Sequence, residues 1–326
     1  MRVVIHTTHL APIGGAENYM MRLAMAIEAV ADLAVTANWP EDFLKFSGFG
    51  KKFKVYDGLY RPDVFIHCSH FSAFPPIGKL NYAVSLFPKK ELKPVGYDGV
   101  IAICEYSAFW TQRYWDIESF VLHPAIDASL YVSGAKRKKI VSVGHFFEES
   151  DGHSKNQHIL VEAFSGLPEY EFVLLGNAAG DDETYLRKVR KLAQGKNVRI
   201  ETNKTSDFIK AELSSSTHLW HGNGYQRTDP GQTEHFGIIV LEALASGVVP
   251  IVHKSGGAPE IAGITWDTPS DLPRLTLENQ FVPELDEKYT IPHFKRKVEQ
   301  WAKDQSVLIE KMPKQSSGFL TSISAP

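Results

Sequence analysis

Short β-branched runs alternate with helix-like stretches along most of the chain, and this alternation constrains the fold more than any single motif does. "RVVIH", "LAVTAN", "DVFIHC", "NYAVSLF", "GVIAIC" and "SFVLHP" read as strands in the first half. A helix over about residues 16–30 follows the first run, and "SAFWTQRYW" supplies another. The segment "DASLYVSGAKRKK" interrupts the pattern with small and charged residues, and "KIVSVG" then starts a second series: "EFVLLGN", "NVRIET", "THLWHG", "VVPIVH" and "GITWD". Between these runs lie helical segments near "QHILVEAFSGL", "ETYLRKVRKLAQ", "DFIKAELSSS" and "FGIIVLEALAS". Strands alternating with helices are the pattern expected of parallel sheets with crossover helices. The expectation is α/β, with two doubly wound Rossmann-like units in tandem.

A length of 326 residues exceeds what one core serves, which agrees with two domains. The expected boundaries are 1–134, 135–290, a closing helix within 291–312 that packs back on the first domain, and a frayed tail at 313–326. Beyond Asp271 the pattern weakens until "FKRKVEQWAKDQSVLIEKM" resumes it. Apolar content of 43% and a net charge of −3 describe an ordinary globular chain with no global field for nucleic acid. Cys68 and Cys104 are too few for a disulfide framework and are expected as buried free thiols. Polar His6, Thr7, Thr8 and His9 cut the first apolar run short, so it reads as a buried strand and not as a signal peptide. No run approaches the ~20 apolar residues of a membrane span, and the expected location is cytoplasmic.

Three places carry chemistry. Gly14 and Gly15 open the first helix, where paired glycines let backbone N–H groups approach an anion. Lys155 lies between the strand "KIVSVG" and the next helix, at the end of a sheet where such folds bind ligands. Glu234 and Glu242 flank a glycine-containing helix start in "EHFGIIVLEAL". A fully helical pair at this spacing would be separated by ~12 Å along the axis and ~80° around it. Glycosidase pairs stand at about 5–9.5 Å, so these two carboxylates suit an elongated ligand better than a single bond. Glu242, among Leu241, Ala243 and Leu244, needs a hydrogen-bond donor, and a salt bridge or a ligand hydroxyl would each serve. Neither G-x-G-x-x-G nor G-x-x-x-x-G-K-[ST] occurs, and there is no D-x-D or H-E-x-x-H, so a dedicated metal site has no support in the sequence.

Taken together, "GGAEN" at 14–18, "GHSKNQHILVEAF" at 152–164 and above all "EHFGIIVLEALASGVVPIVHKSGGAPEI" at 234–261 resemble the family-4 retaining glycosyltransferases, with a mannosyltransferase flavour. The resemblance implies the GT-B fold, two Rossmann-like domains facing each other across a cleft. It implies a nucleotide-diphosphate sugar as donor, GDP-mannose ahead of UDP-sugars, a glycan or lipid-linked acceptor, and no metal or other cofactor. Catalytic roles would fall to Glu234, facing the donor sugar, and Lys155, neutralising the diphosphate. Phe236, Gly237 and Ile238 would offer backbone N–H groups, Glu242 would bind ribose, and Gly14 and Gly15 would lie near the donor phosphate. His145 stands where the family commonly has a diphosphate-binding arginine, and Leu86 where many members have a histidine before "FP". These departures leave open a sugar-nucleotide-binding protein or partner subunit that has lost turnover; a nucleotide-sugar epimerase of the same fold is a further alternative. The clusters "KKFK" (51–54), "FPKKELK" (87–93) and "KRKK" (136–139) would favour anionic lipid and hence peripheral membrane association.

Overall fold

Continuous apolar runs such as Val3–Ile5 and Val64–Ile66 have no polar face to show to water, so their strands must be covered on both sides. In the computed structural model they are. The structure describes residues 1–7, 15–36, 52–68, 74–148, 150, 152–178 and 183–313, and the described chain divides into two compact units, each with a six-stranded parallel sheet. Every strand anticipated from the sequence is present.

In the first unit β1 (Arg2–Thr7), β2 (Asp32–Val35), β3 (Val64–Cys68), β4 (Leu80–Ser85), β5 (Gly99–Ala102) and β6 (Ser119–Val121) pair in the order β2-β1-β3-β4-β5-β6. Val3 lies opposite Val64, Val64 opposite Leu80, and Val84 opposite Ile101. Helix α1 (Gly15–Glu28) buries Tyr19, Met20, Leu23, Ala24 and Ile27, one face at helical spacing. Helix α2 (Glu105–Trp115) follows β5. The closing helix, α9 (Ile291–Lys311), belongs to this unit. Its Phe294 meets Tyr19 edge-on at 6.0 Å, and its Trp301 meets Tyr82 at 5.2 Å. Both cysteines are buried and free, and burial pushes the Cys68 thiol up to about 12.

The second unit pairs β7 (Lys139–Val143), β8 (Glu171–Gly176), β9 (Val198–Thr202), β10 (His218–His221), β11 (Val249–His253) and β12 (Thr265–Trp266) in the order β12-β11-β10-β7-β8-β9. Its helices are α3 (Gln157–Ala163), α4 (Glu183–Ala193), α5 (Ser206–Ser215), α6 (Ile238–Ala245), α7 (Pro259–Ala262) and α8 (Asp271–Glu278). Alternate strand residues build two separate cores. Ile140, Phe172, Leu174, Trp220 and Ile251 lie in one, and Val141, Val173, Leu175, Leu219 and Val252 in the other.

Three expectations change. The chain passes into the second unit after Pro124 and not after Gly134, because Ile126 bridges Thr290 in parallel and its N–H donates to the Tyr289 carbonyl at 3.0 Å. Helix α8 occupies a stretch where the sequence pattern had faded; Pro273 is tolerated in its first turn, where a missing N–H costs nothing. Of the "KRKK" cluster only Lys139 is buried; the other three residues are exposed, and two of them are paired. Lys136 Nζ donates to the Ser246 carbonyl at 2.6 Å, Lys138 pairs with Glu169, and Lys139, only 4% exposed, donates to Glu212 at 2.7 Å. Burial, with Lys139 nearby, lowers Lys136 to about 8. The 314–326 tail, Lys51 and Gly14 lie outside the described residues. No described helix is long and apolar enough to cross a membrane.

Candidate functional site

Strand order reverses direction at β7 and β10, which lie side by side with His218 opposite Ile140. Beyond the carboxyl ends of two such strands the loops diverge and leave a crevice. Lys155 follows β7, and His221, Gly222 and Asn223 end or follow β10, so the switch point gathers them.

The loop after β7 is held by its own side chains. Asn156, in the left-handed region with φ 54°, precedes α3 and donates from Nδ2 to the Gly222 carbonyl at 2.9 Å. Gln157 Nε2 donates to the carbonyls of Gly144 at 3.2 Å and His145 at 2.9 Å. Gly144 is required here, because a Cβ on it would lie 2.7 Å from Lys155 Cγ. The lysine stem thus runs over bare backbone toward Glu234.

Glu234 does not belong to a helix; it lies in the segment that leads into α6, whose first residue is Ile238. Its backbone is pinned by the Gly257 N–H, which donates to its carbonyl at 2.7 Å. Its neighbour His235 donates from Nε2 to the Gly231 carbonyl at 3.1 Å, and burial lowers that imidazole to about 4, so it is neutral. Gly237 adopts φ 91° to turn the chain into α6, whose N-terminus no side chain caps. An uncapped helix start offers N–H groups and a partial positive charge to an anion.

Glu234 Oε2 accepts from Lys155 Nζ at 2.9 Å, His221 Nε2 at 3.1 Å and Asn223 Nδ2 at 3.1 Å. Burial alone would raise this carboxyl. The Lys155 ammonium and the His221 N–H outweigh burial and hold it well below the usual carboxylate range. The Lys155 and Glu234 side chains remain 20% and 19% exposed, so both reach the surface of the site. Among the described residues Lys155 makes no second hydrogen bond, which leaves ammonium protons for a ligand.

The other anticipated residues are placed as follows. Glu242, half-buried on α6, accepts from Tyr131 Oη at 2.8 Å through Oε1. Phe236 is buried, with its ring 5.9 Å from that of Tyr289. Ile238 begins α6. His145 is exposed and stacks on Phe147 at 4.9 Å. In the first unit, Gly15 is the first residue of α1, and Leu86 directly follows β4 with its carbonyl accepting from Ser107 Oγ at 2.6 Å. Sequence reasoning missed His221, Asn223 and Tyr131. For the first two a signal existed, since "WHGN" ends a strand at its ligand-facing end; Tyr131 sits in the stretch that interrupts the strand–helix pattern.

Residues 131–264 match the model of the family described as glycosyl transferases group 1. The GDP-Man:Man(3)GlcNAc(2)-PP-Dol alpha-1,2-mannosyltransferase of Mus musculus is 27% identical over 157 residues, covering 42% of this chain. The chain spans 30% of that relative's length. Among solved structures, Anabaena Alr3699/HepE in complex with UDP-glucose superposes with TM-score 0.68 at 14% identity, covering 93% of this chain and all of that one. The apo form of WaaB, a lipopolysaccharide outer core galactosyltransferase, gives 0.66 at 12% identity, with 93% and 100% covered. These two likenesses concern the fold. Residues 131–264 are thus similar to the glycosyl transferases group 1 family, and with its two Rossmann-like sheets the chain has the GT-B fold.

Proposed function

We propose that the protein transfers a hexosyl group, with retention and without a metal ion, from a nucleotide-diphosphate sugar to a glycan or lipid-linked acceptor. The observation that carries this reading is the Lys155–Glu234 pair at the strand switch point, beside the uncapped start of α6. A diphosphate would take the free protons of Lys155 and the amides that open α6, so charge growing on the leaving group meets fixed cationic partners. Glu234 would accept a hydroxyl of the donor sugar, and Glu242, oriented by Tyr131, would accept from ribose. In the transfer step the acceptor oxygen bonds to the anomeric carbon on the face from which the phosphate oxygen departs, and that phosphate oxygen takes the acceptor proton. GDP-mannose is the donor we favour, because the curated relatives are named for it; UDP-glucose, present in the HepE complex, is the competitor.

The acceptor would be taken by the first unit. A cavity of about 290 Å³ there is lined by Phe87, Tyr97, Trp115, His67, Ser85 and Lys93 among others, a mixture suited to an amphiphile with an anionic head. The exposed lysines of "FPKKELK" adjoin it, and peripheral attachment to a cytoplasmic membrane surface would bring such an acceptor within reach. Screening GDP-, UDP- and ADP-sugars for thermal stabilisation, then assaying the hits for transfer and hydrolysis, tests the reading. Binding with turnover that Lys155→Ala and Glu234→Ala abolish is expected. Binding without any turnover would point instead to a sugar-nucleotide-binding protein, and epimerised donor in the absence of acceptor to an epimerase.

A further inference from the structure

Three donors converge on one oxygen of Glu234, which leaves the carboxylate strongly asymmetric. Oε2 is saturated by Lys155, His221 and Asn223, whereas Oε1 makes no hydrogen bond to any described residue. The identity of each donor is forced. An ionised carboxylate only accepts, so Asn223 must turn its Nδ2 toward it and His221 must carry a proton on Nε2. These two residues are 2% and 4% exposed, far more buried than the lysine. Their backbone is held as well: Trp266 Nε1 donates to the His221 carbonyl at 3.0 Å, and Asn156 holds the intervening Gly222 carbonyl at 2.9 Å. A lysine alone would leave the carboxylate free to rotate and present either oxygen, since an ammonium is a point charge on a flexible stem.

We infer that His221 and Asn223 are positioning residues for sugar recognition: they lock the Glu234 carboxylate so that Oε1 is the oxygen presented to a hydroxyl of the donor sugar. This rests on the donor reading given above. The lock acts on the sugar end of the donor only, because the diphosphate is met by Lys155 and by the backbone of α6.

The test compares binding of a nucleotide sugar with binding of the matching nucleoside diphosphate, by calorimetry, in wild type, His221→Phe, His221→Gln and Asn223→Ala. His221→Phe keeps the ring and deletes the N–H, and Asn223→Ala deletes the amide. Each should weaken the nucleotide sugar about tenfold, the loss of one hydrogen bond to a charged group, and change the nucleoside diphosphate less than about threefold. Glutamine at 221 retains a donor near the Nε2 position and should restore sugar binding to within about threefold of wild type. Unchanged sugar binding in both deletion variants, or an equal loss for both ligands, would overturn the inference while leaving the donor reading intact. A wild-type chain that binds no nucleotide sugar would overturn both. In the wild-type protein, ¹⁵N-histidine spectra should show the proton on Nε2 of His221; a proton on Nδ1 alone would also refute the lock, whether or not any variant folds.

Discussion

Replacing Lys155 by methionine isolates the charge at the centre of the site, because the stem that lies over Gly144 is kept and only the ammonium is lost. The expected cost follows from geometry. Fully exposed ion pairs contribute about 0.2–1 kcal/mol, and breaking a fully buried pair costs about 3–5 kcal/mol. Here the partners stand 2.9 Å apart with a fifth of each side chain exposed, and Glu234 keeps the N–H groups of His221 and Asn223. The cost of Lys155→Met at pH 7 should therefore be about 2 kcal/mol. A cycle with Glu234→Gln should return a coupling of about 1–2 kcal/mol. Its pH dependence has a definite sign. Glu234 is held below its unfolded value near 4.5, so its contribution is complete above that value and is lost as pH falls through the folded one. The coupling should be full at pH 7 and shrink steadily below about pH 4.5. Urea unfolding of the four proteins at pH 7 and pH 4, followed by tryptophan fluorescence, measures it. Additive effects at pH 7, or a coupling that grows on acidification, would refute the reasoning.

Further outcomes follow from the same geometry. Gly257→Ala places a Cβ at 2.1 Å from the His235 carbonyl oxygen, so the Glu234 segment must shift; thermal unfolding should show a loss of about 1–3 kcal/mol, and an unchanged midpoint would count against that packing. Tyr131→Phe removes the donor to Glu242 and should weaken nucleoside diphosphate binding several-fold with little loss of stability, whereas unaltered affinity would leave Glu242 without a ribose role. His235 and His253 are lowered from 6.5 to about 4 by burial, so unfolding takes up protons between those values and stability should fall on acidification, by about 1.4 kcal/mol per pH unit for each group. Denaturation midpoints that stay flat from pH 6.5 to pH 4.5 would contradict it. Cys68 should resist iodoacetamide in the folded protein at pH 8.5, where mass spectrometry would reveal any modification.

The parallel sheets were legible because the central strands are buried on both faces and so appear as unbroken apolar runs, set apart from helices by period and length. Lys155 and Glu234 were legible for a related reason: each occupies a loop that the alternation assigns to the ligand end of a sheet. Their pairing was not, since they lie 79 residues apart and meet only where β7 and β10 become neighbours. His221 was hidden for the opposite reason. It ends an apolar strand, where a buried histidine is an ordinary core residue, and its role depends on which way the ring turns. Residues 125–134 read as the end of the first domain because the break in the strand–helix pattern runs on to Lys139, yet backbone pairing of Ile126 with Thr290 ties them to the second unit. Backbone bonds of that kind leave no trace in side-chain pattern. The lysines at 136, 138 and 139 show the same limit, as a run of charge does not reveal that Lys139 is buried on Glu212 while Lys136 and Lys138 stay exposed.

The most direct measurement is a crystal structure of the protein with a nucleotide sugar. The diphosphate should lie within hydrogen-bond distance of Lys155 Nζ and the amides opening α6, with a sugar hydroxyl on Glu234 Oε1 and Oε2 still held by His221 and Asn223. A nucleotide sugar bound away from β7 and β10, or one whose sugar leaves Glu234 untouched, would contradict the account.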